Sequence, residues 1–278
     1  MPIEIPAVVT FEGAEKKFSE IKKKFEDRKP DLNAFSVENR GPYSRAEVNA
    51  DAQKTKERSQ EIFIGGGGRD EELYAEYCVM ELIDSGELFD QDEQAVSPGS
   101  RYDDLFNGAD LVITLYDENS APALHFSIDV KAGLTRESEG VDKASLTIKE
   151  LLNKGQLSKV KYHQFPNKRK EGQLFKQGAS MPNVVIWVEP NNVKYYMAAM
   201  SKKERERTPA DNKLLAAFKR SVYSQMESLI IKFISLLREK ETSADQGSKK
   251  YFRQTLGAYE KLLNKIQSYQ EEYRSRAI

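Results

Sequence analysis

The spacing of apolar residues divides the chain into helical and extended stretches. Residues 12–29, EGAEKKFSEIKKKFEDRK, place Phe18, Ile21 and Phe25 on one helical face and end at Pro30. Residues 31–60 are polar and weakly patterned, as in a flexible linker or an arm. EIFIGGGG at 61–68 predicts a short extended piece running into a glycine loop, then a helix from about Asp70 to Ser85 with Gly86 as its stop. ADLVITLY (109–116) and ALHFSIDVK (123–131) alternate as strands do, and the turn-rich DENSAP between them predicts a hairpin. A basic helix is expected over about 143–164, followed by NVVIWVEP (183–190), a short strand apolar enough to be buried on both faces. Beyond it Leu215, Phe218, Val222, Met226, Leu229, Phe233 and Leu236 recur at spacings of three and four. The polar segment ETSADQGS (241–248) joins that helix to a second, from about Lys249 to Arg274. The stripe implies packing, either internal or between subunits as a homodimer through the C-terminal helices.

These elements predict an α/β fold in three parts: an N-terminal helix with linker or arm (1–60), a core (61–190) and a C-terminal helical hairpin (191–278). At 278 residues, one sizeable core with helical extensions is expected. Mean hydropathy is −0.66 and no apolar run reaches the ~20 residues of a membrane-spanning helix, so a soluble protein is expected. The N-terminal residues lack the basic-then-apolar layout of a secretory signal, and the single Cys78 leaves no internal disulfide, which together point to the cytoplasm. One Cys and two His also argue against a structural zinc site, so any metal should take oxygen ligands.

Charge changes the picture once the chain is divided. Residues 1–140 carry 16 Lys+Arg against 30 Asp+Glu, and residues 141–278 carry 27 against 14. A basic half beside an acidic one suggests a polyanion partner, although a solvated helical face gives the same count. Lys159, Lys161, Lys168, Arg169 and Lys170 are the candidate phosphate contacts.

The candidate chemistry lies on the two strands. In ALHFSIDVK, alternation sets His125, Ser127, Asp129 and Lys131 opposite Leu124, Phe126, Ile128 and Val130. In ADLVITLY it sets Asp110, Val112, Thr114 and Tyr116 together. If the hairpin turns about residues 119 and 120, Asp110 falls across from Asp129. Opposed like charges destabilise a sheet unless something neutralises them, and a divalent cation does so. On the helix of residues 70–85, Glu76 falls within the arc of Leu73, Tyr77, Val79, Met80 and Ile83, where an acid needs a partner or a metal. Glu72, toward the edge of that arc, is the reserve. Gly65–Gly68 before a helix could form an anion-binding loop, but no Lys-Ser or Lys-Thr follows, and a nucleotide P-loop is not supported.

NGADLVITLY followed by FSIDVKAG resembles the PD-(D/E)XK signature of restriction endonucleases, Holliday-junction resolvases and RecB-like nucleases. The resemblance covers roughly residues 61–190, with Ala109 where the signature has Pro. It implies a restriction-endonuclease-like core, a mixed central sheet flanked by helices. It further implies that Asp110, Asp129 and the carbonyl of Val130 hold Mg²⁺ (Mn²⁺ substituting), that Glu76 joins them, and that Lys131 orients the attacking water. The expected reaction is phosphodiester hydrolysis, the expected substrate nucleic acid, in the first place DNA. Two other readings remain: a non-catalytic nucleic-acid-binding or assembly protein on this fold, for which intact Asp110, Asp129 and Lys131 would be unnecessary, and a hydrolase of small phosphoesters, which would use the same carboxylates but need no basic groove.

Overall fold

The structure, a computed structural model, describes residues 14–64, 69–116, 122–132, 148, 150–166 and 174–276. Its centre is a four-stranded mixed sheet in the order β1-β2-β3-β6, formed by β1 (Gln94–Pro98), β2 (Leu111–Tyr116), β3 (Pro122–Ala132) and β6 (Asn183–Val188). The first three are antiparallel neighbours and β6 runs parallel to β3. Leu111 pairs with Ile128 and Leu115 with Leu124, the register that a turn centred between residues 119 and 120 requires.

Phe126, Ile128 and Val130 line the face that carries the main core, with Val184, Ile186 and Val188 of β6. Against this core pack Tyr77, Val79, Met80, Leu82 and Ile83 of α3 (Arg69–Asp84). Val193, Tyr196 and Met197 of α5 (Pro190–Met200) join them, as do the apolar stripes of α6 (Pro209–Ser243) and α7 (Gln246–Arg276). α6 opens on a capping box in which Thr208 and Asp211 satisfy each other's main-chain N–H groups. Helices thus flank the sheet and extend beyond it at both ends, α1 (Ala14–Arg28) at the N-terminal side. The main-chain N–H and C=O of Trp187, which face outward from edge strand β6, are both taken by the side-chain amide of Gln225 on α6, at 2.8 and 3.1 Å.

The opposite face of the sheet is not open to solvent as a single polar-faced hairpin would be. Residues 158–164, expected within a helix, form strand β4 (Ser158–Pro166), which pairs with β5 (Leu174–Met181) as a second, two-stranded sheet. Helical residues 150–153 lead into Gly155, whose φ of 65° no L side chain adopts easily, and the chain leaves extended. Val160 and Met181 then close over Val112 and Ala109, which makes a second apolar cluster. Thr114, Ser127 and Asp129 are buried beneath this layer.

Residues 31–64 are likewise ordered rather than a linker. Two 3₁₀ turns, Leu32–Phe35 and Val37–Asn39, precede α2 (Arg45–Ile64), which runs through the stretch 61–64 expected to be extended. Phe35 and Val48 bury against Tyr162. The Tyr43 hydroxyl donates to the Lys161 carbonyl at 2.7 Å, and the Tyr162 hydroxyl donates to Asp51 at 2.8 Å. This segment is therefore part of the body that contains the sheet. Gly65–Gly68, the candidate anion loop, lie outside the described residues.

Candidate functional site

The site forms where β2 begins and β3 ends, which antiparallel pairing brings to the same end of the sheet. Leading into β2 is α4 (Arg101–Asn107), a seven-residue helix capped by Ser100, whose hydroxyl accepts from Asp103 N–H at 3.0 Å. It ends at Gly108 with φ of 59°, against the Asp129 carboxylate: a Cβ there would lie 3.5 Å from Oδ2. Gly99 closes the loop that holds α4, its N–H donating to the Asp110 carbonyl at 2.7 Å. A Cβ on Gly99 would fall 1.8 Å from the Ala109 carbonyl oxygen, so only glycine allows that approach.

Asp110 is fixed by its main chain and its side chain. Its N–H donates to Ile128 C=O at 3.0 Å, and its carboxylate accepts the Val130 N–H at 2.6 Å. Asp129 stands beside it, and the Lys131 ammonium meets Asp129 Oδ1 at 2.6 Å. Asp110 and Asp129 are 4% and 5% exposed, so neither charge is well hydrated. Burial pushes the Asp110 carboxyl well above the usual carboxylate range, with the charges of Glu76 and Asp129 adding to it and Lys131 opposing. Burial also raises Asp129, opposed by Lys131 and by a hydrogen bond with the Asp110 carboxyl. A hydrogen bond between two carboxyls needs a proton on one of them, so the pair titrates as a unit.

Glu76, buried on α3 at 9% exposure, is the strongest charge acting on Asp110. Asp104 of α4, ion-paired to Arg101 at 2.8 Å, raises both aspartates. The Arg101–Asp104 pair is the part of this neighbourhood that periodicity could not reveal, because seven residues make too short a helix to show an apolar stripe. The reserve acid, Glu72, has its side chain outside the described residues. His125 lies on the same face of β3 and accompanies Thr114 Oγ1 at 3.0 Å and the His163 ring at 5.2 Å; burial lowers its pKa.

Among the described residues, no three His, Cys, Asp or Glu side chains converge closely enough to form a metal cluster. The donors present still suit a hard ion. Asp110 and Asp129 are adjacent oxygen donors whose burial raises both pKa values, and Mg²⁺ commonly uses one or two carboxylates while keeping several waters.

No family model, curated protein or solved structure matches this chain.

The basic candidates fare unequally. Lys159 is exposed on β4. Lys161 is committed elsewhere: its ammonium binds Asp51 at 2.6 Å and Glu47 at 3.1 Å, with the rings of Tyr43, Tyr162 and Tyr102 around it at 4.9, 5.6 and 5.9 Å. With two carboxylates neutralising it, Lys161 fastens α2 to β4 and has no charge to spare for a phosphate. Lys168, Arg169 and Lys170 lie outside the described residues.

Proposed function

We propose that this chain is a metal-dependent nuclease of the PD-(D/E)XK kind, hydrolysing phosphodiester bonds in nucleic acid, with DNA the first substrate to test. The observation that supports it is the buried pair Asp110–Asp129 with Lys131 on Asp129, at one sheet end, beside Glu76. Two carboxylates buried together cost stability, and that cost has a purpose if a cation neutralises them. The element order is consistent with a restriction-endonuclease-like core: a helix carrying Glu76, a three-stranded meander, then a strand parallel to β3.

Asp110, Asp129 and the Val130 carbonyl would hold Mg²⁺ or Mn²⁺, and the ion would supply Lewis-acid polarisation of a phosphate oxygen. Asp110 is held for this by the Val130 N–H, so its carboxylate does not need to reorganise. Lys131, one-third exposed, is among the described residues the cation that pairs with Asp129, and once released from Asp129 it would offset charge developing on the phosphate and orient the attacking water. Burial and, after it, the charge of Glu76 raise the pKa of Asp110, a cost that a bound cation would offset.

The test is cleavage of plasmid and oligonucleotide DNA and RNA with Mg²⁺, Mn²⁺ or EDTA, comparing wild type with Lys131→Ala and Asp110→Asn. Metal-dependent cleavage that falls by about 100-fold or more in Lys131→Ala, with DNA affinity retained, is the expected result. Equal rates in wild type and Lys131→Ala would remove the site from the reaction. One observation favours a second reading, a non-catalytic nucleic-acid-binding or assembly protein: no three acids converge among the described residues. DNA binding without cleavage in any metal would establish it. Turnover of small phosphoesters alone would instead indicate a phosphoester hydrolase.

A further inference from the structure

Among the described residues, the cations of the site neighbourhood are Lys131, which sits on Asp129, and Arg101, which sits on Asp104. We propose that Arg101 positions the substrate, its guanidinium gripping a phosphate of a nucleic-acid strand next to the Asp110–Asp129 pair. The inference rests on the nuclease reading for its kinetics and stands on binding alone for its geometry.

The argument begins with how rigidly α4 is set. Gly99 N–H to Asp110 C=O, at 2.7 Å, and the direct run from Gly108 into Asp110 tie both ends of this helix to the same residue. Its inner face is anchored by Asp103, whose carboxylate accepts from the main-chain N–H groups of Lys161 and Tyr162 at 2.7 and 2.8 Å. The same carboxylate accepts from Ser100 and Asn107 side chains, each at 2.7 Å. A helix fixed on that face cannot roll.

Asp104 follows Asp103, roughly 100° further round the helix, and shares a ridge with Arg101 and Gly108 at spacings of three and four. Gly108 lies against Asp129, so the ridge leads from Arg101 to the carboxylate pair. The influence of Asp104 on both aspartates agrees with that placement. Arg101 is 37% exposed and reaches Asp104 through one terminal nitrogen, Nη1, so solvent-borne ligands can approach its fork. A phosphate with two free oxygens matches such a fork, and it competes with a single partly exposed carboxylate.

The test measures binding of a fluorescent 30-mer, single- and double-stranded, to the full-length protein in EDTA across a salt series, and cleavage kinetics in Mg²⁺. Wild type, Arg101→Ala and Arg101→Lys are compared. Loss of one phosphate contact should weaken binding by about tenfold in Arg101→Ala and reduce the salt slope by about 1. KM should rise with kcat nearly unchanged, melting temperature should hold, and Arg101→Lys should recover part of the affinity. Unchanged affinity and salt slope in Arg101→Ala would overturn the proposal, as would failure of wild type to bind either 30-mer. If wild type binds but never cleaves, the nuclease reading fails, and the salt slope of Arg101→Ala alone decides this one.

Discussion

His163 is a completely buried imidazole that meets another imidazole, His125, edge to face. Burial, with the nearby His125 adding to it, lowers its pKa to about 3. The sign of the consequence follows from proton counting. Between pH 6.5 and 3 the unfolded chain binds a proton at this position and the folded chain does not, so stability is lost as pH falls through that window. Each pH unit there costs up to about 1.4 kcal/mol. Replacing the ring with an isosteric apolar one, His163→Phe, should flatten the acid limb of urea-melt stability against pH. An unchanged limb would assign the acid sensitivity to other groups. At Gly108 a Cβ would only touch the Asp129 carboxylate at ordinary contact distance, but the positive φ opposes a side chain, so Gly108→Ala should cost about 1–2 kcal/mol in the same melts. At this scale much of the site was legible in the sequence. Residues 110 and 129 are equidistant from a turn at 119 and 120, and the observed pairing has that register. Glu76 was marked by an acid in an apolar arc, where it is indeed buried. Arg101 and Asp104 gave no signal, because nothing in a seven-residue helix states which strand end it will cover.

Among the elements, β4 was misread for a physical reason. SKVKYHQF carries its lysines at positions that suit either a basic helix or a strand, and only Val160 and Tyr162 distinguish them. Their partners, Val112 and Phe35, are far away in sequence. Strand formation here is decided by tertiary burial that no local window contains. The same is true of α2, whose weak apolar pattern is explained by what attaches it: ionic and hydroxyl contacts to Lys161 and Tyr162. Asp51 is 5% exposed, so Lys161→Met leaves a nearly buried carboxylate without its cation. Breaking such a pair costs about 3–5 kcal/mol, reduced somewhat here by the partial exposure of Lys161. Amide exchange should accelerate across α2 in this variant while β3 keeps its protection; uniform acceleration would mean that α2 is not a separate unit of opening.

For the molecule as a whole, the acidic and basic halves of the chain meet inside one fold. Lys161 joins Glu47 and Asp51, Arg207 joins Glu87, and Lys265 joins Glu93, each a bond from the basic half to the acidic one. Part of the charge asymmetry is therefore used internally, and the count alone overstated the basic surface. No helix of the described residues is long and apolar enough to cross a membrane. The amide of Gln225 bears on how copies of this chain can meet. By occupying the outward N–H and C=O of Trp187, it ends the sheet at four strands and denies β6 to a neighbour's backbone. Gln225→Leu, which keeps the bulk and removes both bonds, should lose about 1–3 kcal/mol and expose a strand that two molecules can share. Light scattering should then show association that rises with concentration in the variant and is absent from wild type. Together with the Tyr259 hydroxyl, which takes the N–H and C=O of Asn183 on the same strand at 3.1 Å each, this glutamine acts as a stop signal against polymerisation.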